Sequence, residues 1–139
     1  MKIVALGHTD KRKADVAILA KELTHLGLLT PNMSDAEIEV VFQNTYDVVN
    51  PLLETAPSLF TNEFKKRAYD GVFPSSGTIP RSRRLSYWNK FTAAVGELIV
   101  EELLRNHPEA TQYKPLLLFK VAGIVEAMTT TLKRRLMAS

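Results

Sequence analysis

The sequence predicts an all-α protein, a single-domain bundle of about five helices over residues 1–139 with at most one short N-terminal strand. Two observations lead there. Apolar residues recur at spacings of three and four in five separate segments, the period of amphipathic helices. Residues that cap or stop helices bracket those segments, and no run of convincing strands appears that would build a sheet.

Residues 1–6 are a short apolar run ending at Gly7, either a small strand or the lead-in to a helix. Thr9 or Asp10 can cap the next segment, because a side-chain oxygen satisfies the orphan amides of a first turn. Val16, Leu19, Ala20, Leu23 and Leu26 then mark the first helix. Gly27 is its expected stop and Pro31-Asn32 the loop.

Ser34 followed by Glu37 is a capping box, in which each side chain bonds the other residue's amide. Ile38, Val41, Phe42, Thr45, Val48 and Val49 carry the second helix. Pro51 removes a donor and is expected to kink or end it, or to open a short helix at Leu52-Leu53 closed by Pro57. Ser58 or Thr61 can cap a third helix bearing Leu59, Phe60, Phe64 and Ala68. Lys65, Lys66 and Arg67 are placed toward its end, where cations suit the dipole, with Asp70-Gly71 as terminator.

Residues 72–84 have no period; Pro74, Ser75-Ser76-Gly77 and Pro80 are turn chemistry. Irregular connections of this length are rarely kept without a use or without disorder. Ser82 or Ser86 can cap the fourth helix, whose stripe is Leu85, Trp88, Phe91, Val95, Leu98, Ile99 and Leu103, stopped at Asn106-His107-Pro108. The last helix starts near Pro115, a favoured first-turn residue. It runs through Leu118, Val121, Ala122, Val125, Met128, Leu132 and Leu136, with Lys133-Arg134-Arg135 at its end. Being apolar nearly all round, it is expected at the centre or at a subunit interface. Val121, Ile124, Val125 and Met128 are the interface candidates, with a homodimer as the implied partner.

Apolar content of 45% and charged content of 24% belong to a soluble globular chain. Cysteine is absent, which excludes a disulfide scaffold, a thiol nucleophile and cysteine-ligated metal sites, and fits a cytoplasmic setting. The most apolar stretch, 116–132, contains Lys120 and Glu126, so it reads as a buried helix and not a membrane span.

Charge is sorted along the chain. Residues 22–63 hold seven acids and no Lys or Arg, whereas 65–139 hold thirteen bases against six acids. Helix dipoles explain much of this. They do not explain Arg81-Ser82-Arg83-Arg84, which stands at the front of a helix where a cation gains nothing from the dipole. Guanidinium forks bind phosphates bidentately, and Ser75, Ser76 and Thr78 add hydroxyls nearby. Tyr87 and Trp88 have the chemistry to stack on unpaired bases, although Trp88 is in register with Phe91 and Val95 and is favoured as a core anchor. Lys11-Arg12-Lys13, also at a helix start, is a weaker hint of an anionic partner.

Catalytic signatures are missing. His8, His25 and His107 lie in unrelated segments, and no Walker loop, nucleophile elbow or GxGxxG occurs. A helix-turn-helix over 20–41 fails because Asp35, Glu37 and Glu39 would meet the major groove with the wrong charge. The expectation is a non-enzymatic protein without cofactor or metal. It binds nucleic acid or another anionic surface through Arg81, Arg83 and Arg84, supported by Lys65, Lys66, Arg67 and Lys90. The alternative is a protein-interaction module, an inhibitor, adaptor or accessory subunit, whose basic surface docks on an acidic protein.

Overall fold

A computed structural model describes residues 10–74 and 79–138, with side chains from Val16 onward. Six α-helices follow one another: α1 Asp10–His25, α2 Asp35–Thr55, α3 Asn62–Val72, α4 Arg84–Asn106, α5 Lys114–Met128 and α6 Thr130–Ala138. Short 3₁₀ turns at Ala56–Leu59, Arg81–Arg83 and Pro108–Tyr113 join them, and no strand occurs among the described residues. The all-α class is as expected; the count is six helices where the sequence suggested about five. The possible strand at 1–6, the Thr9 cap, the side chains of Lys11, Arg12 and Lys13, and Ser75, Ser76 and Thr78 lie outside the described residues.

α4 is the axis of the bundle, packed along α5 and α3. Its Val95, Ile99, Val100 and Leu103 meet a core supplied by Leu19 and Leu23 of α1, Phe42 and Val49 of α2, and Leu116, Leu117, Val121 and Val125 of α5. Each such aliphatic side chain withdrawn from water contributes about 1.5–3 kcal/mol before chain entropy is set against it.

The local signals acted largely as their chemistry requires. α1 ends in a Schellman motif: the Leu28 N–H donates to the Leu23 carbonyl at 2.9 Å and the Gly27 N–H to that of Thr24 at 3.0 Å. Gly27 has φ +78, a left-handed conformation that glycine adopts without a Cβ penalty. At the start of α2 the Ser34 hydroxyl oxygen accepts from the Glu37 N–H, and Glu37 Oε1 accepts from the Ser34 N–H, both at 3.2 Å. Ser58 is committed to the Thr55 carbonyl at 2.6 Å, which leaves Thr61 to cap α3 by accepting from the Phe64 N–H.

Three expectations are corrected. Pro51 neither ends α2 nor opens a new helix; α2 continues to Thr55. Pro51 and Asp47 are both exposed, so water reaches the carbonyl four residues back that loses its donor. Lys65, Lys66 and Arg67 sit in the middle of α3 and not at its end, because the helix begins only after Thr61 and runs on to Val72. The long last helix is broken: the segment ending in α5 and α6 are bent by 63° about Thr129. The buried Thr129 hydroxyl donates to the Val125 carbonyl at 2.7 Å, and back-bonding of this kind in a run of three threonines competes with the regular ladder.

Candidate nucleic-acid interface

The segment Arg81-Ser82-Arg83-Arg84 is the lead-in of α4. Pro80, at φ −55, sets the chain into the 3₁₀ turn Arg81–Arg83, whose Arg83 N–H donates to the Pro80 carbonyl at 2.9 Å. The Arg84 N–H donates to the Arg81 carbonyl, so α4 grows directly out of the turn. Arg83, in the N-cap position, already has near-helical angles (φ −107, ψ −3), and no side chain caps the helix. Neither Ser82 nor Ser86 fills the capping role the sequence offered them, since capping needs an extended N-cap residue.

This geometry gathers cations at the positive pole of α4. Arg81, Ser82 and Arg83 are exposed, Arg84 is half-buried, and no acid occupies the first turn. Placing cations there costs a few tenths of a kcal/mol each, a cost an anionic partner reverses. Further along α4, Lys90 is exposed and its Nζ lies 5.7 Å from the centre of the Tyr87 ring. Ser82, Leu85, Ser86, Asn89, Lys90 and Ala93 line one shallow trough; their spacing places them on a single face of α4.

Beside this basic end stands a row of rings. Tyr69 of α3 stacks on Phe73 with centroids 4.5 Å apart and planes 22° apart. Phe73 in turn stacks on Tyr87 of α4 at 5.7 Å and 24°. Phe73 is buried and also packs on Phe91, which meets Trp88 at 5.5 Å. Trp88 is only 5% exposed, the core anchor its register implied, and is closed to any base. Tyr69 is 53% exposed. Sequence reasoning passed over Tyr69; the signal was the i, i+4 aromatic pair Tyr69 and Phe73 at the edge of the irregular connection.

The cations of α3 are elsewhere. Phe73, just past the end of α3, meets Tyr87 and Phe91 near the start of α4, whereas Arg67 and Ala68 share a groove with Glu97, Leu98 and Glu101. The two helices are therefore antiparallel. Thirteen residues of α4 separate Arg84 from Glu97, about 20 Å at 1.5 Å per residue. The structure does not join Lys65, Lys66 and Arg67 to the arginine turn. Each is also engaged locally: Lys65 lies 4.7 Å from the Phe60 ring centre, Lys66 bonds Asp70 at 2.8 Å, and Arg67 lies 5.7 Å from the Phe64 ring centre. The bond to Asp70 raises the Lys66 pKa above its ordinary value.

The interface candidates divide. Val121 and Val125 are fully buried in the core of the single chain, so they cannot meet a second copy; Ile124 is half-buried and Met128 exposed. α5 buries Leu116, Leu117, Val121 and Val125 and leaves Phe119 and Met128 exposed. His25 is exposed, and His107 Nδ1 lies 3.4 Å from Glu109 Oε1. Among the described residues no three His, Asp or Glu side chains converge, and no single helix is long and apolar enough to cross a membrane. No family model, no curated protein and no solved structure matches the chain.

Proposed function

We propose that this chain is a non-enzymatic binding protein that holds the phosphate backbone of a nucleic acid at the start of α4, through Arg81, Arg83, Arg84 and Lys90. The observation that carries this reading is the exposed arginine turn at a helix start that lacks both a side-chain cap and an acidic first turn. Among the described residues neither Arg81 nor Arg83 is ion-paired, unlike Lys66. Guanidinium forks on a 3₁₀ turn point in successive directions about its axis, which suits phosphates spaced along a strand better than a single small anion. Contacts of this kind position a partner without reading its sequence. Lys65, Lys66 and Arg67, distant and internally engaged, have at most a supporting part. Glu37 and Lys66, the two groups among the described residues whose titration is displaced, are exposed at a cap and a surface ion pair and not in a cleft, which fits binding better than acid–base chemistry.

A salt series with labelled DNA tests the reading. Each phosphate neutralised contributes roughly −0.9 to the log–log slope on duplex and about −0.7 on a single strand. Replacing Arg81, Arg83 and Arg84 together by Ala is expected to lower affinity at least tenfold and to flatten the slope by about two. Unchanged affinity and slope would place the site elsewhere, and binding to an acidic protein but to no nucleic acid would favour the docking alternative.

A further inference from the structure

We infer that the nucleic acid is single-stranded and that Tyr69 is the platform on which one unpaired base stacks. The inference rests on the backbone-binding reading and adds the class of strand. Tyr69 leaves just over half of its surface in water while its ring is held in a fixed orientation on Phe73, 4.5 Å away and nearly parallel. Phe73 is itself fixed, buried between Tyr87 and Phe91. The open ring is therefore the outermost member of a supported row, and not a loose side chain. Val40 and Leu85, also exposed, offer no π face; Phe119, 43% exposed, has one, but among the described residues no ring stacks beneath it.

The inner end of the row carries the charge. Lys90 lies over Tyr87, and Arg83 precedes Tyr87 by four residues, one helical turn. Two ring spacings, 5.7 and 4.5 Å, lead from Tyr87 to Tyr69, so the cations and the Tyr69 ring would engage different nucleotides of one extended strand. Single-strand binders combine a cationic track with aromatic rings in this manner, and the stacking tolerates any base because every base has a π face. A duplex conceals those faces within its own stack, so Tyr69 has nothing to offer it except at an end.

Fluorescence anisotropy with the full chain separates this inference from its parent. The probes are a labelled fifteen-nucleotide thymidine strand, an abasic strand of equal length and a blunt duplex, all at one salt concentration. The thymidine strand is expected to bind more tightly than the abasic strand. Y69A and Y69L are expected to erase that preference, weakening thymidine-strand binding about five- to hundred-fold while leaving abasic binding unchanged. Y69F, which keeps the π face, is expected to bind as the parent does; Y69L keeps apolar cover over Phe73, so a shared loss is not a packing defect. Equal binding of thymidine and abasic strands, or equal weakening of both by Y69L, overturns the stacking while leaving the backbone grip intact. Failure of all three probes to bind removes both.

Discussion

Arg67 and Glu97 line opposite walls of the groove between α3 and α4, far from the arginine turn with which the sequence groups Arg67. The consequence is a functional separation of two basic clusters. R67A is expected to leave nucleic-acid affinity and salt slope unchanged and to shift stability by less than about 1 kcal/mol, as exposed charges do. R83A is expected to weaken binding several-fold. Parallel salt titrations of the two variants check this, and equal losses would mean that the clusters act as one surface.

The Ser34–Glu37 capping box makes a pH-dependent contribution. Bonding from the Ser34 backbone amide, then from its side chain, holds the Glu37 carboxyl below its ordinary value of 4.5. A carboxyl depressed by folding stabilises the fold above the unfolded value, and that stability is lost as pH falls through the folded one. The stability gap between the parent chain and E37Q should thus be widest above pH 4.5 and close at lower pH. Urea denaturation at several pH values measures the gap; a constant gap would show that the carboxylate is not engaged. S34A, which loses the cap at all pH values, is expected to cost about 1 kcal/mol.

Gly96 lies buried in the interior of α4, yet an added Cβ would meet only Val121 Cγ1, at an ordinary 3.9 Å. Glycine in mid-helix costs about 0.5–1 kcal/mol relative to alanine, chiefly through the unfolded chain. G96A is therefore expected to raise the melting temperature by about 2–4 °C. A fall would show that the α4–α5 contact is tighter than 3.9 Å in solution.

Val121 distinguishes a core helix from an interface helix. V121D places an unpaired carboxylate among fully buried neighbours and is expected to unfold the chain. M128D, at an exposed position on the same helix, should leave the fold intact by circular dichroism. If V121D instead remains folded and changes only the oligomeric mass, the placement of Val121 in the core is wrong.

Helices one to four were legible because their signals are local: periodicity, a capping box, a glycine stop. The break at Thr129 was not, because a run of threonines is compatible with a helix until one hydroxyl is buried and turned back on its own carbonyl. The position of Lys65, Lys66 and Arg67 depended on which of Ser58 and Thr61 became the cap, a competition settled by the Thr55 carbonyl. The arginine turn is visible in the sequence through its misfit with the helix dipole. Tyr69 is not, since its role comes from a neighbour four residues on and from a second helix brought against both.

The 63° bend at Thr129 has a bearing on motion. Beyond it α6 has no buried residue; Leu136 and Met137 rest against the core, and the Thr130 hydroxyl donates back to the Glu126 carbonyl. A nine-residue helix is too short to persist by its own propensity. Its amide hydrogens should exchange with solvent through local opening, long before those of α4 and α5, which exchange only when the whole domain unfolds. The last turn, with Arg135, is thus expected to open and close while the rest of the bundle stays folded.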